Sequence, residues 1–215
     1  MFNGGSITSK VTIVDHPLVQ YKMSRLRDKN TEMKEFRELI EELTVFLGYE
    51  ATKNLLLTKK DVDTPLAVAK TMVLADKICI VPILRAGLGM VDGFLHLIPI
   101  AKIGHIGMYR DPVTHKPVSY YCKLPFDVKD HKIIIVDPML ATGGSAAAAI
   151  DEIKSYGCKD ITFICILGSQ EGVKTVTEKH PDVNVFIACI DEKMNDQKYI
   201  IPGLGDAGDR LFGTK

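Results

Sequence analysis

The most constraining feature of the sequence is a buried-strand pattern that runs directly into a glycine loop and a helix. Residues 133–136 are an unbroken β-branched run, IIIV, which is typical of a parallel strand covered on both faces. Apolar residues from Ala146 to Tyr156 follow at helical spacing, so we expect a helix with Ser145 as its N-cap and Gly157 just after its end. A strand, a short loop and a helix in this order predict a unit of an α/β fold.

The loop between this strand and helix, ATGGS at positions 141–145, has the composition of an anion-binding loop. Its two glycines allow successive backbone N–H groups to converge on one point, and the helix N-terminus adds a favourable dipole. Asp137 is the first polar residue after the strand, at the edge where open α/β sheets bind ligands. The alternative is an ordinary turn whose glycines only relieve backbone strain. We expect the loop to bind a monophosphate and Asp137 to face the ligand.

The stretch DPMLATGGS resembles the 5-phosphoribosyl-1-diphosphate (PRPP) signature of type I phosphoribosyltransferases, in the version found in the uracil phosphoribosyltransferase family. Most type I members have two adjacent acids where this chain has Asp and Pro, and that departure is typical of the uracil branch. The resemblance implies that PRPP is bound by Asp137, Pro138, Met139, Leu140, Ala141, Thr142, Gly143, Gly144 and Ser145.

Two arginines follow other predicted strands. Arg85 comes after the strand 77–84 and before two glycines, an arrangement that can place a guanidinium and free N–H groups beside a second anion. The alternative is a surface arginine at a turn. The segment VPILRAGLGM resembles the pyrophosphate loop of the family, which implies that Arg85 contacts PRPP and that a non-proline cis peptide lies near it. Likewise, GMYRD implies that Arg110 contacts PRPP.

A polar excursion follows Arg110. Residues 110–123, RDPVTHKPVSYYCK, read as a hairpin between buried strands, and a long polar arm in that position is a candidate flexible lid.

The stretch YIIPGLGDAGD, at 199–209, is rich in glycine but also in apolar residues, which argues for a fixed loop. Glycines let a backbone approach a flat ligand closely. A backbone that presents N–H, C=O and N–H in sequence would match the acceptor, donor and acceptor edge of uracil. The alternative is a glycine-rich tail docked on the core. The family resemblance implies uracil binding by Ile200, Gly205, Asp206 and Ala207, with Asp206 also turned towards PRPP or its metal.

The remaining pattern alternates strands and helices. We expect a helix from about Asn30 to Gly48 with an apolar stripe that is core or interface. A helix through Leu57 is expected next, then a polar connection at about 59–63 and mixed structure to residue 76. A solvated face is expected for four basic residues, with contact to an anionic ligand as the alternative: Arg25, Arg27, Lys29 and Lys34. Later elements are predicted at 103–109 (strand), 161–167 (strand), 172–180 (helix) and 183–189 (strand).

Together these elements predict an α/β fold with a mostly parallel central sheet flanked by helices, as in type I phosphoribosyltransferases. We expect residues 1–215 to form one domain. A small hood is expected from the C-terminal segment, about 192–215, and part of the N-terminal region.

The overall composition excludes several classes of protein. Lys plus Arg equals Asp plus Glu at 27 each, and no dense basic run stands out, which argues against a nucleic-acid partner. The five cysteines form no C-x-x-C pair, the histidines lack metal-ligand spacing, and no stretch reaches membrane-spanning length. With no signal-peptide core at the start, we expect a soluble cytoplasmic protein without a membrane partner.

The resemblance implies transfer of a phosphoribosyl group from PRPP to uracil, giving UMP and pyrophosphate. It implies catalytic roles for Arg110, Asp137 and Asp206, with Mg²⁺ held mainly by PRPP and water. It also implies a homodimer or homotetramer and GTP as a candidate activator. Two alternatives stay open: a pyrimidine regulatory protein that binds RNA and uridine nucleotides, and a purine phosphoribosyltransferase. The neutral IIPGLGDAG loop argues against the purine enzyme.

Overall fold

The computed structural model describes residues 11–110 and 117–214. Its helices are α1 (Pro17–Arg27), α2 (Met33–Ala51), α3 (Val91–Leu97), α4 (Gly144–Ser155), α5 (Gln170–Lys179) and α6 (Ala207–Phe212). Its strands are β1 (Val11–Ile13), β2 (Leu57–Asp63), β3 (Val68–Leu74), β4 (Ile78–Leu84), β5 (Lys102–Ile103), β6 (His105–Arg110), β7 (Pro117–Lys123), β8 (Lys132–Val136), β9 (Met139–Leu140), β10 (Ile161–Ser169), β11 (Asn184–Asp191), β12 (Lys193–Met194) and β13 (Ile200–Ile201).

The central sheet is mostly parallel, as predicted. Strands β1, β11, β10, β8, β4 and β6 lie side by side in that order, each parallel to its neighbour, and β7 closes the edge antiparallel to β6. The short strands β5 and β9 pair with β4 and β10. Helices cover both faces, which confirms the predicted α/β class.

The β-branched run of β8 is explained by its two faces. Ile133 and Ile135 pack into the core beneath α4 and α5. Ile134 and Val136 pack into the core beneath α1, α2, α3 and α6. Because each face of the strand is covered by helices, neither set of alternating side chains can be polar, and the sequence shows no alternation.

The stretch from residue 49 to 76 differs from the prediction. Helix α2 ends at Ala51, and β2 and β3 form an antiparallel hairpin that projects from the sheet, with Leu66 near its tip 97% exposed. The predicted helix through Leu57 and polar connection are wrong. The hairpin buries little of its own surface, so the hydrophobic periodicity that marks a packed strand is weak there.

The N-terminal elements also differ in part. Neither β1 nor α1 is in the predicted set, although α1 begins with Pro17 at its first position, a common helix start, and the Leu18 N–H donates to His16 Nδ1. The stripe of α2 lies mainly in the core, with Phe36 and Leu43 fully buried, whereas Met33 at its start is 44% exposed.

The predicted hood is formed where the C-terminal segment meets α1 and α2. Arg27 donates to both carboxylate oxygens of Asp191 at 2.8 Å and to the carbonyl of Gly203 at 2.8 Å, and the Gly203 N–H donates back to Asp191 at 2.9 Å. Arg27 therefore ties α1 to the sheet and to the C-terminal loop, and its predicted place on a solvated face is wrong.

A second arginine completes this attachment. Arg210 of α6 donates to the carbonyls of Leu26, Asp28 and Leu204 at 2.7–2.8 Å. Its guanidinium lies 4.2 Å from the ring centroid of Phe36. Carbonyls and an aromatic face replace the water that the guanidinium loses, so the charge is accommodated without an anion.

All five cysteines are free, and Cys79, Cys158 and Cys165 are buried while the other two are half-buried. Burial raises the pKa of the Cys79 thiol to about 11. Within the described residues, no helix combines the length and the apolar character needed to span a membrane.

We expect Asp191→Asn to lower the free energy of unfolding by about 2 kcal/mol, because it leaves the guanidinium of Arg27 without its carboxylate. The loss is below the roughly 3–5 kcal/mol of a fully buried pair because Arg27 keeps 22% of its side-chain exposure. The control, Glu38→Gln, breaks the exposed Lys34–Glu38 pair and should cost less than about 0.5 kcal/mol. Urea denaturation measures both, and equal small losses would contradict the expectation.

Candidate active site

The glycine loop follows β8 at the carboxyl edge of the sheet. Asp137 comes directly after the strand, β9 adds one short pairing with β10, and the chain then turns through residues 141–143 into α4. Gly143 is the N-cap, with a left-handed φ of 79°. The prediction of Ser145 as N-cap is wrong because the left-handed turn at Gly143 starts the helix earlier, and glycine adopts that conformation without steric cost.

This turn leaves backbone donors at the start of α4. The first N–H groups of an α-helix have no acceptor within the helix, and here they belong to Gly144, Ser145 and Ala146. The Gly144 N–H lies 3.5 Å from the Thr142 hydroxyl oxygen, a long and weak contact. The start of α4 therefore has backbone donors without acceptors inside the helix, and anion binding by the loop stays a prediction.

A cavity of about 260 Å³ lies between residues 137–141 and the C-terminal segment, and residues 142–145 of the glycine loop are not among those that line it. Three residues of the predicted PRPP stretch, Asp137, Met139 and Ala141, line one side. The opposite side contains all four residues predicted to bind uracil: Ile200, Gly205, Asp206 and Ala207. Two motifs that lie about sixty positions apart in the sequence thus share one cavity, and the family resemblance was the only signal that linked them.

Four other residues line the cavity and were not selected from the sequence: Ala86, Lys198, Tyr199 and Gly208. Each is a near neighbour of a selected residue, since Ala86 follows Arg85 and Tyr199 precedes Ile200. Adjacency to a motif is the signal that could have found them.

The C-terminal wall of the cavity depends on turns that need glycine. Gly203 and Gly205 have φ values of 64° and 83°, and a Cβ atom at Gly203 would overlap the carbonyl oxygen of Ile200. Asp206 then caps α6 by accepting the Asp209 N–H at 2.9 Å. The backbone from 205 to 207 is therefore held at the cavity surface by a cap and two left-handed turns.

Asp137 is a carboxyl of the cavity lining whose pKa is shifted by burial. Burial raises its pKa to about 7, and the Met139 N–H at 3.3 Å opposes that rise only weakly. A carboxyl in this environment changes charge near neutral pH, and a ligand that donates hydrogen bonds to it favours the ionised form.

Arg85 lies next to the cavity, because the following residue, Ala86, is one of its lining residues. The Leu84–Arg85 peptide is cis, which confirms the predicted non-proline cis bond, and the Arg85 guanidinium is exposed, 5.9 Å from the ring centroid of Phe212. Arg85 does not line the cavity. The backbone of Arg110 ends β6 and pairs with Pro117 of β7, whereas its side chain and residues 111–116, the tip of the predicted lid, lie outside the described residues.

Pro138 and Leu140, two residues of the predicted PRPP stretch, are buried and contact other parts of the protein. The Pro138 carbonyl accepts the N–H groups of Ile166 and Leu167 at 3.1 and 3.0 Å, and the side chain of Leu140 is 1% exposed. Their side chains are not available to a ligand in this arrangement. Direct ligand contacts by the selected residues stay predictions.

The donor set fits a metal held mainly by its substrate. Within residues 11–110 and 117–214, no group of three or more His, Cys, Asp or Glu side chains could hold a metal ion. The cavity does present two carboxylates, Asp137 and Asp206, on opposite walls. Magnesium commonly binds through one or two carboxylates while phosphates and waters supply its other ligands.

The overall fold has a solved counterpart. A hypoxanthine-guanine phosphoribosyltransferase from Bacillus anthracis matches with a TM-score of 0.50 at 11% identity, covering 74% of this chain and 80% of its own, and so shows the fold alone. The fold is therefore the one predicted from the sequence, that of the type I phosphoribosyltransferases, with the glycine loop at the end of β8.

Closer relatives narrow the class. A sequence model described as uracil phosphoribosyltransferase matches residues 13–214. A uracil phosphoribosyltransferase of Alkaliphilus metalliredigens strain QYMF is 57% identical over 208 residues, 96% of this chain and 100% of its own. A solved protein from Aquifex aeolicus matches with a TM-score of 0.91 at 38% identity, covering 95% of this chain and 99% of its own. The chain belongs to the uracil phosphoribosyltransferase family.

The raised pKa of Asp137 implies that the stability of the folded protein depends on pH. Its carboxyl binds a proton more tightly when folded, at about 7, than at its ordinary value of 3.8, so stability falls as pH rises between these values. We expect Asp137→Asn to raise Tm by at least ~3 °C at about pH 8, where wild type carries the buried charge, and to change it little at about pH 4. Thermal unfolding at both pH values measures this.

The control is Asp61→Asn, on the exposed strand β2, which should leave Tm unchanged at both pH values. A lower Tm for Asp137→Asn at the higher pH would show that the ionised carboxylate stabilises the ligand-free fold, contrary to the expectation.

Proposed function

We propose that the protein transfers the 5-phosphoribosyl group from PRPP to uracil, giving UMP and pyrophosphate. The observation that carries the proposal is the single cavity that joins the glycine-loop stretch to the C-terminal wall in a chain of this family. A transferase must hold its two substrates next to each other, and each wall has the chemistry that one substrate needs.

The side of the cavity lined by Asp137, Met139 and Ala141, together with the adjoining glycine loop, binds the charged sugar phosphate PRPP in this proposal. The N–H groups at 141–145 bind the 5-phosphate, each charge-assisted hydrogen bond contributing roughly 1.5–3 kcal/mol. Asp137 accepts hydrogen bonds from the ribose hydroxyls. Arg85 and Arg110 bind the pyrophosphate group at the edge of the cavity, where the released pyrophosphate can leave into solvent.

The opposite side of the cavity, formed by the C-terminal segment, binds the neutral, flat ring of uracil in this proposal. Ile200, Gly205, Asp206 and Ala207 bind the base mainly through backbone groups, so the acceptor, donor and acceptor edge is read without a charged side chain. A base with a different pattern of donors and acceptors would leave buried backbone groups without hydrogen bonds. The free-energy cost of those missing hydrogen bonds makes the site specific for uracil.

Catalysis in this proposal is mostly electrostatic. As the bond from C1 to pyrophosphate breaks, positive charge develops on the ribose and negative charge on the leaving group. Arg85 and Arg110 stabilise the leaving group, and Asp206 faces PRPP or its metal. Mg²⁺, when bound, neutralises charge on the phosphates of PRPP. No side chain is assigned as the acceptor of the uracil N1 proton.

The family relationship is also the basis for three further proposals. They are that the protein forms a homodimer or homotetramer, that GTP activates it, and that it is located in the cytoplasm. The chain is proposed to act as one domain over residues 1–215, with 110–123 as a lid. Neither the purine phosphoribosyltransferase nor the RNA-binding regulator is favoured, since relatives at this identity carry the name of the uracil enzyme.

The direct test is UMP formation from uracil and PRPP with Mg²⁺, run beside adenine, hypoxanthine and orotate. We expect UMP from uracil and no nucleotide from the other bases. IMP or AMP formation would favour the purine enzyme. No product with any base, together with binding of pyrimidine-operon leader RNA in a gel shift, would favour the regulator.

The carboxylate of Asp206 can be separated from its capping role. We expect Asp206→Ser to keep the α6 cap, because serine also accepts an N–H there, and to lower kcat by about a hundredfold through loss of the charge. Asp206→Ala should lower kcat similarly and cost about 1 kcal/mol of stability in addition. Steady-state kinetics and thermal unfolding distinguish these effects. An unchanged kcat in Asp206→Ser would remove the carboxylate from the mechanism.

A further inference from the structure

The glycine loop rests on the beginning of α5, and Ser169 makes the first connection. Ser169 is 2% exposed at the junction of β10 and α5. Its hydroxyl donates to the carbonyl of Ala141 at 2.6 Å and accepts the Gly172 N–H at 2.9 Å. One buried hydroxyl thus joins a residue that lines the cavity to the first turn of α5.

Gly172 makes the second connection by direct backbone packing. A Cβ atom at Gly172 would overlap the carbonyl oxygen of Ala141 and would lie 2.5 Å from that of Leu140. Backbone atoms cannot swing aside as a flexible side chain can. The α5 backbone therefore lies as close to the loop as two chains can approach, and only glycine permits that distance.

The third connection lies on the far side of Thr142. A Cβ atom at Gly143 would lie 2.7 Å from the carbonyl oxygen of Gly172 and 2.8 Å from Cβ of Thr175. The first turn of α5 therefore contacts the loop both before and after Thr142, and it limits where the left-handed turn at Gly143 can lie.

The other end of α5 is fixed to α4. The buried His180 places Nε2 at 3.0 Å from the Ala147 carbonyl and Nδ1 at 3.3 Å from Lys154 Nζ. Since the carbonyl can only accept, Nε2 carries the hydrogen and Nδ1 accepts from the lysine. Helix α5 is thus anchored at both ends, which makes it a rigid support for the loop.

We propose that Ser169 and Gly172 are positioning residues for PRPP binding. They act through Ala141 and Leu140, holding the loop with its donors aimed before the ligand arrives. A glycine-rich loop loses much backbone entropy when it is ordered, and a loop ordered in advance spares the ligand that cost. The inference rests on the proposed function, which places the 5-phosphate at this loop.

The first test is Gly172→Ala. Because the added methyl meets backbone oxygens, the loop has to move, and we expect the Kd of PRPP and its KM to rise about tenfold. The KM for uracil should change by less than about twofold, since the opposite wall is not displaced. Calorimetry with PRPP and Mg²⁺ measures the binding without turnover.

The matched control is Gly93→Ala in α3. Its Cβ atom would lie 2.6 Å from the Glu41 carbonyl oxygen, a similar conflict with a helix backbone at a place remote from the glycine loop. We expect a comparable loss of Tm but a Kd of PRPP within about twofold of wild type. A purely structural role for Gly172 predicts the same behaviour for both variants.

A milder pair covers the case in which Gly172→Ala does not fold. Ser169→Ala removes the hydroxyl that bridges to Ala141, and we expect the Kd of PRPP to rise about threefold. Its control, Thr44→Val, removes a fully buried hydroxyl that donates to the Ile40 carbonyl at 2.7 Å within α2. That variant should lower Tm while leaving PRPP affinity unchanged.

The outcomes separate the two proposals. If wild type binds PRPP but forms no UMP, the proposed reaction fails while the calorimetric comparison still tests the positioning role. If wild type forms UMP and both loop variants match their controls in PRPP affinity, the positioning role is wrong. If wild type does not bind PRPP, both proposals fail.

Discussion

The parallel register of β4, β8 and β10 is the constraint on which the rest of the molecule depends. Hydrogen bonding pairs Val136 with Pro82 on one side and with Ile164 on the other, so the three strands point their carboxyl ends at one edge. Whatever follows each strand is delivered to that edge. This is how the cis peptide after β4 comes to lie at the same edge as the carboxylate and glycine loop after β8.

Two aspartates show how the same group is used in opposite ways. Burial alone would raise the pKa of Asp191, but hydrogen bonds from Arg27 and Gly203 hold it below its usual range. Asp137 has one weak N–H contact, and burial raises its pKa to about 7. The first carboxylate is satisfied by the protein and stabilises the hood. The carboxylate of Asp137 has few hydrogen-bond donors in the protein, so a bound ligand can supply them. Its burial lowers the stability of the ligand-free protein, and hydrogen bonds from a ligand would offset that loss.

Features encoded in neighbouring residues could be predicted from the sequence, and features that join distant residues could not. The IIIV strand and the turn into the next helix depend on a short stretch, and both are present, although the helix starts after Gly143 and not at Ser145. The cis bond at Arg85 was implied by the family resemblance, and it is confirmed. The Arg27–Asp191 pair joins residues 164 positions apart, and no local pattern distinguishes it from a solvated charge. The hairpin was missed because a segment without a buried face leaves little periodicity to detect.

The long-range attachment of the hood has a consequence for biosynthesis. Arg210 bonds to the carbonyls of Leu26 and Asp28, so one wall of the cleft is added by residues that leave the ribosome long after the first helices. The central strands are complete once residue 191 has been made. The residues of the sheet and the glycine loop are therefore all made before those of the opposite wall. A message cut short after that point encodes a protein with a sheet but without a closed cleft.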